Sequence, residues 1–309
     1  MRKTLRAAVI GVGGMGKNHA RVYSELPGVE LVAVCDIEEE LAQNIAQKLK
    51  VRAFSDYREL LKENLDAVSI AIPTSIHKKV AVDFANAGVN ILVEKPIADT
   101  VPNAKELINS CQQNRVKLMI GHIERFNPVI STIKDAVKDE EIISIDIARL
   151  GPLPPRIKDV GILVDLAVHD IDIIRYITGS EFVRVYGMTS RVMSHNEDTA
   201  MISLKTASGV LCHISTNWLT PFKVREINIA TKERFIKGWL KDKRLCEYRR
   251  WHVDNSYMVR ELSIPQSEPL RLELEAFIYA ITNDTEPPVT GEDGLKALEI
   301  AIRCLESRC

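Results

Sequence analysis

The segment of residues 5–16 in this 309-residue chain has the sequence Leu-Arg-Ala-Ala-Val-Ile-Gly-Val-Gly-Gly-Met-Gly. Its mostly apolar first half is typical of a buried strand, and its second half contains a G-x-G-x-x-G turn made by Gly11, Gly13 and Gly16. Residues 17–26 are predicted to form a helix. A glycine turn between a strand and a helix predicts a phosphate-binding loop, because the unpaired N–H groups and the positive end of the helix dipole face the turn.

The three glycines of the turn have separate predicted roles: Gly11 permits the tight turn, Gly13 lets the backbone approach a pyrophosphate, and Gly16 lets the helix pack closely on the strand. A second apolar run ends at Asp36, twenty residues after Gly16, where a carboxylate can accept hydrogen bonds from the ribose hydroxyls of adenosine. Residues 37–40 contain no Lys or Arg to neutralise a 2′-phosphate, so NAD is expected rather than NADP. The alternative is a glycine turn that binds no ligand. The expected cofactor contacts in the turn are Gly11, Gly13, Gly14, Met15 and Gly16.

The first 122 residues alternate short apolar runs with segments of helical spacing. The runs are Leu5–Gly11, Glu30–Cys35, Leu65–Ile72, Val89–Val93 and Val116–Ile120. They are almost continuously apolar, as is typical of parallel strands that helices cover on both faces. The pattern predicts an α/β fold in which residues 1–122 form a doubly wound parallel sheet of the Rossmann type.

Composition and charge argue against several classes of protein. The chain has 41 basic and 42 acidic residues and a formal net charge of −1, so it lacks an overall field that would attract nucleic acid or an anionic membrane. No apolar run approaches the roughly 18 residues of a membrane span. The six cysteines show no C-x-x-C spacing, which predicts free thiols in the cytoplasm and no metal site. The basic segment Lys232–Arg244 is expected to be a solvated hairpin rather than a nucleic-acid surface.

Two further loops follow apolar strands and are expected at the carboxyl edge of the sheet, where doubly wound folds bind their ligands. One loop contains Pro73 and His77, and the other contains Glu94 and Lys95. A partly desolvated lysine near a bound cofactor can donate a hydrogen bond to a reacting oxygen. Lys95 is therefore a candidate catalytic residue. The alternative is a surface lysine that ends a strand, and position alone does not separate the two.

Residues 160–172 contain the second group of candidate catalytic side chains. On a helix, Asp165 and His169 are four residues apart and share one face. Since histidine titrates near neutral pH, His169 could act as a general base while Asp165 orients a substrate hydroxyl or the imidazole. The alternatives are a structural core histidine, which the residues alone favour, a pair of metal ligands, and a solvated face that includes Asp170 and Asp172.

Taken together, these motifs resemble the glucose–fructose oxidoreductase / inositol dehydrogenase / rhizopine-catabolism (Gfo/Idh/MocA) family of sugar oxidoreductases over essentially the whole chain. The motifs that carry the resemblance are Gly11–Gly16 with His19, Asp36, Pro73 with His77, Glu94-Lys95-Pro96, and Asp165 with His169. The resemblance implies NAD-dependent hydride transfer from a sugar or polyol carbon. It also implies that His169 is the general acid/base, that Lys95 binds the reacting oxygen and that Asp165 contacts the substrate. Three more residues would line the nicotinamide end of the cofactor: Pro73, His77 and Glu94.

Two segments narrow the resemblance to one branch of the family. Residues 121–128 and 149–156 are similar to segments of members that act on nucleotide-activated sugars, such as UDP-N-acetylglucosamine 3-dehydrogenases. This similarity implies oxidation at C3 of a UDP-N-acetylhexosamine, whose diphosphate needs cations. The candidate substrate contacts and cations near these segments are Arg125, Asn127, Arg149, Arg156 and Lys158. The alternative for the arginines is that they are solvated or paired with acidic neighbours.

Two other functions stay open. A dehydrogenase of a free polyol or aldose would not need cations for a diphosphate. A non-catalytic NAD-binding regulator, of which the family contains an example, would need the glycine turn but not Lys95 and His169. The presence of both residues favours an enzyme.

From about residue 142 the pattern changes to a series of strand-like runs. They are Ile142–Arg149, Phe182–Met188, Thr199–Thr206, Val210–Asn217 and Arg225–Ala230. The resemblance implies that residues 123–309 form a substrate and oligomerisation domain with an open, mostly antiparallel sheet, and that the tail 291–309 packs back on the first domain. Along residues 210–216 the side chains alternate between two faces of a strand, and one of these faces is only weakly apolar. This face could join copies of the chain into a homodimer or homotetramer. Helices are expected at Leu270–Thr282 and Leu295–Leu305.

Overall fold

The structure, a computed structural model, describes residues 4–153, 160–250 and 256–307. The chain divides into two compact units, Met1–His122 with Leu270–Lys296, and Ile123–Pro269 with Ala297–Cys309. The division after His122 coincides with the expected domain boundary. The second unit differs from the expected continuous domain 123–309, because residues 270–296 group with the first unit. Of the tail 291–309, only the first six residues do so.

The first unit contains a six-stranded sheet in which every neighbouring pair is parallel. Its strands are β1 (Leu5–Ile10), β2 (Val29–Cys35), β3 (Arg52–Phe54), β4 (Ala67–Ile70), β5 (Asn90–Glu94) and β6 (Leu118–Gly121). The strand order β3-β2-β1-β4-β5-β6 is that of a Rossmann sheet, which confirms the predicted fold class. Only β3 has no counterpart among the predicted runs, because it is three residues long and begins with an exposed arginine.

The second unit contains an eight-stranded sheet of order β14-β13-β12-β11-β7-β10-β9-β8. Its strands are β7 (Ile142–Pro152), β8 (Phe182–Ser190), β9 (Thr199–Thr206), β10 (Leu211–Asn217), β11 (Leu219–Thr231), β12 (Phe235–Trp239), β13 (Arg244–Arg250) and β14 (Tyr257–Leu262). All neighbours are antiparallel except β7 and β10, so the predicted open, mostly antiparallel sheet is confirmed. The basic segment Lys232–Arg244 contributes β12 and the turn that leads into β13.

The helices of the described residues are α1 (Gly16–Glu25), α2 (Glu39–Leu49), α3 (Tyr57–Leu60), α4 (His77–Asn86), α5 (Val101–Gln113), α6 (Pro128–Val137), α7 (Val168–Thr178), α8 (Pro269–Thr282) and α9 (Gly291–Glu306). Side chains cap the N-termini of several of these helices. Asp56 accepts a hydrogen bond from the N–H of Arg58, and Thr100 accepts one from the N–H of Asn103. Such caps satisfy N–H groups that have no partner within the helix.

The segment 270–296 joins the first unit through its backbone. Met119 pairs with Thr290 in an antiparallel bridge, and the N–H of Ile120 donates to the carbonyl oxygen of Val289 at 3.1 Å. Gly294 packs against the side chain of Ile120, where a Cβ would lie 2.9 Å from Cγ1. These contacts explain why the segment that packs on the first unit begins at residue 270 and not at the predicted residue 291.

One face of the second sheet is buried and the other is exposed. Cys212, Ile214 and Thr216 of β10 are buried, whereas Leu211 of the same strand is exposed, so the predicted alternation is confirmed. The exposed apolar side chains of this outer face include Tyr186, Met188, Met201, Leu211, Phe235 and Val259. The sheet therefore presents apolar area that no described residue covers.

No helix in the described ranges is long and apolar enough to cross a membrane. Five cysteines are described, and all five are buried free thiols: Cys35, Cys111, Cys212, Cys246 and Cys304.

Candidate active site

The glycine turn between β1 and α1 has the geometry that its sequence predicts. Gly11 has a φ of +80°, and a Cβ there would lie 2.4 Å from the carbonyl oxygen of Ala71. A Cβ at Gly16 would lie 1.7 Å from the carbonyl oxygen of Gly11, so only glycine allows this approach of α1 to the strand. A Cβ at Gly13 would meet nothing within 4 Å, which leaves open space beside the backbone. The turn fits the pyrophosphate of NAD, since the loop backbone is accessible at the N-terminus of a helix.

Asp36, directly after β2, is tied to the glycine turn. Its Oδ2 accepts a hydrogen bond from the N–H of Val12 at 2.8 Å, and its Oδ1 accepts one from the N–H of Glu38 at 3.1 Å. Each carboxylate oxygen has a further lone pair for a ribose hydroxyl. The side chain therefore has two compatible uses, to hold the turn in place and to accept from a bound nucleoside.

Pro73 lies in the connection between β4 and α4, and His77 is the first residue of α4. The two ring nitrogens of His77 lie 2.9 Å from the carbonyl oxygens of Ile72 and Pro96. A carbonyl only accepts and a neutral imidazole has a single N–H, so only the protonated ring can donate to both. His77 thereby links this connection to the half-buried Lys95 and its cis peptide bond to Pro96.

Glu94, the last residue of β5, hydrogen-bonds to a residue of the first helix. Its Oε1 lies 2.9 Å from Nε2 of His19, and Nδ1 of His19 lies 3.2 Å from the hydroxyl of Ser69. That hydroxyl lies 2.8 Å from the hydroxyl of Tyr23. All four side chains are buried. The predicted contact of Glu94 with the nicotinamide end of the cofactor stays a prediction.

A third carboxyl group lies beside this pair and was not identified from the sequence. Glu273 of α8 is fully buried, and one ligand atom from each of His19, Glu94 and Glu273 lies within 4.8 Å of the others. We call these three residues the His19–Glu94–Glu273 cluster. Burial, and then the nearby charge of Glu94, raise the pKa of Glu273 well above its usual range. A signal was present, because Glu273 lies on the same helix stripe as the core residues Leu270, Leu274 and Phe277.

Asp165 and His169 lie on a helical segment, as predicted, although its first part is not a regular α-helix. Asp165 belongs to a π-helical turn, Leu163–Ala167, which continues into α7, and His169 is the second residue of α7. Both side chains are buried, with 7% and 8% exposed. A π-turn is uncommon and is found most often at functional sites.

Glu197 holds the π-turn. The N–H of Ile162 donates to the carbonyl oxygen of Glu197 at 2.9 Å, and the N–H of Leu163 donates to its Oε1 at 3.2 Å. A Cβ at Gly161 would lie 2.0 Å from this carboxylate, so glycine gives Glu197 access to the turn. The sequence did not indicate this contact, because 34 residues separate Leu163 from Glu197.

Arg149 of β7 is buried between two carboxyl groups. Its Nε donates to Oδ1 of Asp170 at 2.8 Å, and its Nη1 donates to Oε1 of Glu124 at 2.9 Å. We call these three residues the Glu124–Arg149–Asp170 network. Burial raises the pKa of Asp170 to about 6, against the opposing charge of Arg149. Burial also acts to raise the pKa of Glu124, but the charge and hydrogen bond of Arg149 outweigh it and lower that pKa.

The other candidate substrate contacts are also engaged within the second unit. Arg125 donates from Nε and Nη2 to the two oxygens of Asp172, at 2.7 and 2.5 Å. Asn127 caps α6 and donates to Oε2 of Glu124 at 3.0 Å. Arg125 and Arg149 thus have the acidic partners that the sequence left as an alternative, and their contact with substrate stays a prediction. Arg156 and Lys158 lie outside the described residues.

A cavity of about 270 Å³ lies next to Glu124 in the second unit. Its lining residues are Ile123, Glu124, Asn127, Arg225, Leu240, Lys241 and Pro269. Arg225 donates from Nη1 to the carbonyl oxygens of Leu150 and Val224, at 2.6 and 2.7 Å, and forms no ion pair with any described residue. Burial and then the charge of Arg149 lower the pKa of Arg225 to about 10, which leaves it cationic at neutral pH. The sequence pattern did not single out Arg225 or Lys241, because each is one basic residue among many.

Two family models match the chain. A model described as an oxidoreductase family with an NAD-binding Rossmann fold matches residues 5–122, and the GFO/IDH/MocA C-terminal domain matches residues 142–236. The chain is 30% identical over 303 residues to the UDP-N-acetylglucosamine 3-dehydrogenase of Acidithiobacillus ferrooxidans, with 97% of this chain and 96% of that protein covered. It is 28% identical to the scyllo-inositol 2-dehydrogenase (NAD(+)) of Bacillus subtilis, with 99% and 95% covered.

A solved structure of the Acidithiobacillus ferrooxidans UDP-N-acetylglucosamine 3-dehydrogenase has the same fold. It superposes with a TM-score of 0.91 and 28% sequence identity, and the match covers 98% of this chain and 97% of that one.

Proposed function

The chain belongs to the GFO/IDH/MocA family of NAD-binding oxidoreductases, and from this membership we propose that it oxidises C3 of a UDP-N-acetylhexosamine to a ketone. The observation that carries the proposal is the 30% identity, over 97% of the chain, to a UDP-N-acetylglucosamine 3-dehydrogenase. The candidate catalytic residues Lys95, Asp165 and His169 support an enzyme, since a regulator that only binds NAD needs none of them.

His169 is assigned as the general base and Lys95 as the donor to the reacting oxygen. When bound, NAD accepts the hydride that leaves the sugar carbon. His169 takes the hydroxyl proton, and Lys95 donates to the same oxygen and stabilises the negative charge that develops there. Asp165 accepts a hydrogen bond from the substrate. The glycine turn and Asp36 bind the adenosine diphosphate half of the cofactor.

Replacement of the proposed general base separates chemistry from cofactor binding. In His169→Ala we expect turnover to fall by roughly 10²–10⁴-fold, the usual share of general acid–base catalysis. NAD affinity should not change, because the glycine turn belongs to the first unit. Initial rates of NADH formation and calorimetric NAD binding measure the two quantities. His195→Ala, at an exposed histidine of the second unit, is the matched control. Wild-type turnover in His169→Ala would place the base elsewhere.

Arg225 and Lys241 are the cations that we propose for the diphosphate of the substrate. The guanidinium groups of Arg125 and Arg149 already bind carboxylates, whereas Arg225 donates only to backbone carbonyls within the described residues. Hydrogen bonds between a guanidinium group and a phosphate are stronger than neutral ones, so a diphosphate that displaces water from the cavity would be stabilised by Arg225. Asn127, a predicted substrate contact, also lines the cavity, and the volume of about 270 Å³ suits part of a nucleotide sugar rather than all of it.

Arg225→Gln tests the proposed diphosphate contact. Loss of one charge-assisted hydrogen bond should raise KM for UDP-N-acetylglucosamine by roughly 10-fold or more and leave kcat within about twofold. UDP alone should inhibit the wild type and inhibit the variant less. Lys138→Gln removes the same charge from an exposed position after α6 and serves as the control. An unchanged KM and unchanged UDP inhibition would remove Arg225 from the substrate site.

A free polyol is the second candidate substrate, and the 28% identity to a scyllo-inositol 2-dehydrogenase over 99% of the chain favours it. NADH formation across a panel of UDP-sugars and free polyols separates the two. Reduction of NAD with UDP-N-acetylglucosamine and not with inositol supports the proposal. The opposite result supports a free polyol as the substrate. If no substrate reduces NAD, released cofactor in the supernatant of the denatured protein distinguishes a tightly held cofactor from a regulator that binds NAD reversibly.

The outer face of the second sheet is the surface that we propose joins copies of the chain into a homodimer or homotetramer. Met188 and Met201 pair across β8 and β9 on this face, and Leu211 on β10 extends it. Exposed apolar patches of this kind commonly form interfaces. Sedimentation should give a mass above one chain, and Met201→Glu should lower it. A wild-type monomer at micromolar concentration would contradict the proposal.

The cytoplasm is the compartment that we propose for this protein. Five buried free cysteines are compatible with a reducing environment. Fractionation of the source cells tests the proposal, and recovery from an oxidising compartment would contradict it.

A further inference from the structure

Glu273 of α8 has surroundings that do not suit a charge. Its side chain is fully buried, and neither carboxyl oxygen has a hydrogen-bond partner within the described residues. The ligand atoms of His19 and Glu94 lie within 4.8 Å of it. A carboxylate in this position would lose its hydration without gaining a donor, so the group is more stable with a proton.

The charged and titratable groups that face the cluster come from four elements. They are His19 and Tyr23 of α1, Glu94 at the end of β5 with Lys95 after it, His77 of α4, and Glu273 of α8. Burial acts to raise the pKa of Glu94, but the hydrogen bond and charge of His19 outweigh it, with help from Lys95 and His77. Burial and then the charge of Glu94 both raise the pKa of Glu273. Two carboxyl groups in such different surroundings take different protonation states.

We propose that Glu94 and Glu273 hold one proton between them at neutral pH, and that Glu273, as the protonated partner, is a positioning residue for Glu94 and the adjacent Lys95. The neutral acid can donate to Glu94 through one water or after a small rotation of its side chain. Glu94 is then held from two sides, by His19 at 2.9 Å and by Glu273. The consequence for Lys95 rests on the proposed function, in which Lys95 binds the reacting oxygen.

A divalent cation is the competing occupant of this cluster, because an imidazole and two carboxylates are metal ligands. The separation of 2.9 Å between Nε2 of His19 and Oε1 of Glu94 is that of a hydrogen bond, which places a proton between them. A shared proton and a metal predict different effects of the same substitution. A neutral amide at position 273 preserves a hydrogen-bond donor, but it lowers the affinity for a metal.

The shared proton makes a specific prediction for catalysis. At alkaline pH Glu273 ionises, and its repulsion of Glu94 should disturb the segment that contains Lys95, so wild-type kcat should fall. Glu273→Gln is neutral at every pH and keeps a donor, so it should retain neutral-pH kcat within about twofold and lose this alkaline decrease. Glu273→Leu removes the donor, and kcat should fall by about tenfold at every pH, as expected of a misplaced catalytic group.

The experiment uses the full chain saturated with NAD, in four forms: wild type, Glu273→Gln, Glu273→Leu and the control Glu275→Gln. Glu275 is an exposed residue of the same helix, and its nearest ion-pair contact is a long one, 3.7 Å to Arg271. Infrared spectra at neutral pH should show a protonated carboxyl band in the wild type and in Glu275→Gln, and the band should be absent from Glu273→Gln. The pH profile of kcat is then measured for each form.

Three results would overturn the inference. The first is a wild-type spectrum at neutral pH whose protonated carboxyl band does not depend on Glu273. The second is an alkaline decrease in kcat that is the same in wild type and Glu273→Gln. The third is a stoichiometric divalent metal in the wild type that Glu273→Gln loses. The infrared test does not require turnover, so it still decides the shared proton if the proposed sugar is not a substrate or if Glu273→Leu does not fold.

Discussion

In the first unit two buried carboxyl groups, Glu94 and Glu273, lie beside the imidazole of His19, whereas in the second unit Glu124 and Asp170 both bind the guanidinium of Arg149. Arginine keeps its charge at every accessible pH, so the Glu124–Arg149–Asp170 network has a permanent counter-charge. The His19–Glu94–Glu273 cluster has a counter-charge only as far as protons supply it. The second unit should therefore depend strongly on one side chain, Arg149, whereas the raised pKa of Glu273 makes the first unit sensitive to rising pH.

The difference also bears on catalysis. Glu94 precedes Lys95, which we propose binds the reacting oxygen, and Asp170 follows His169, the proposed general base. Lys95 and His169 thus each have a buried carboxyl group as a neighbour in the chain. Beside Lys95, in our proposal, a shared proton sets the net charge of two carboxyl groups, whereas beside His169 a permanent cation binds the carboxyl group of Asp170.

Arg149→Met should cause the largest loss of stability. The substitution leaves Glu124 and Asp170 buried without their cation, and removal of one partner from a buried ion pair typically costs about 3–5 kcal/mol. Trp218 and Trp239 belong to the second unit, so urea titration with tryptophan fluorescence reports its unfolding.

A second variant controls for the loss of the arginine stem. This triple variant removes the whole network and combines Glu124→Leu, Arg149→Met and Asp170→Leu. It should recover much of the stability, since apolar replacement of a complete buried network is often neutral. A loss below about 1 kcal/mol in Arg149→Met alone would mean that water reaches the network, and the contrast between the two units would not hold.

Glu273→Gln should change stability in a pH-dependent way. The folded-state pKa of Glu273 lies above its unfolded value, so its contribution to stability is full at low pH and is lost as pH rises towards the folded pKa. Glutamine does not titrate, and the stability of the variant relative to wild type should therefore increase with pH, by up to about 1.4 kcal/mol per pH unit. Thermal unfolding at pH 5 and at pH 8 measures the trend. A difference that stays constant between the two would show that Glu273 is ionised in the folded state.

An exposed ion pair of the first unit should contribute least. Lys78 and Glu106 lie 3.0 Å apart with side chains 30% and 58% exposed. Lys78→Met should change the free energy of unfolding by no more than about 0.5 kcal/mol, because water screens such pairs. The same thermal unfolding measurements apply. A larger loss would show that burial does not determine what charges contribute in this protein.

Local structure was predictable where it depends on neighbours in the chain. The glycine turn, Asp36 and the parallel strands follow from residue spacing and backbone sterics, and the structure confirms the doubly wound parallel sheet that they predict. The helical placement of Asp165 and His169 was also predictable, but the π-turn was not, because Glu197, which holds it, lies 34 residues from Leu163. The hairpin predicted at Lys232–Arg244 corresponds to β12 and the start of β13, but the sequence did not indicate that β12, β13 and β14 extend the second sheet, because pairing between strands orders them.

Short-range patterns in the sequence were enough for the α/β fold class and the cofactor loop, and the motifs of a recognised family indicated the candidate catalytic residues. The partners of the buried charges, in contrast, came from the tertiary structure. It placed Arg125 and Arg149 against carboxylates, left Arg225 beside a cavity, and brought Glu273 next to Glu94. The physical reason is that a residue type states which charge a side chain can carry, whereas its solvation and its neighbours depend on how segments distant in the chain pack together.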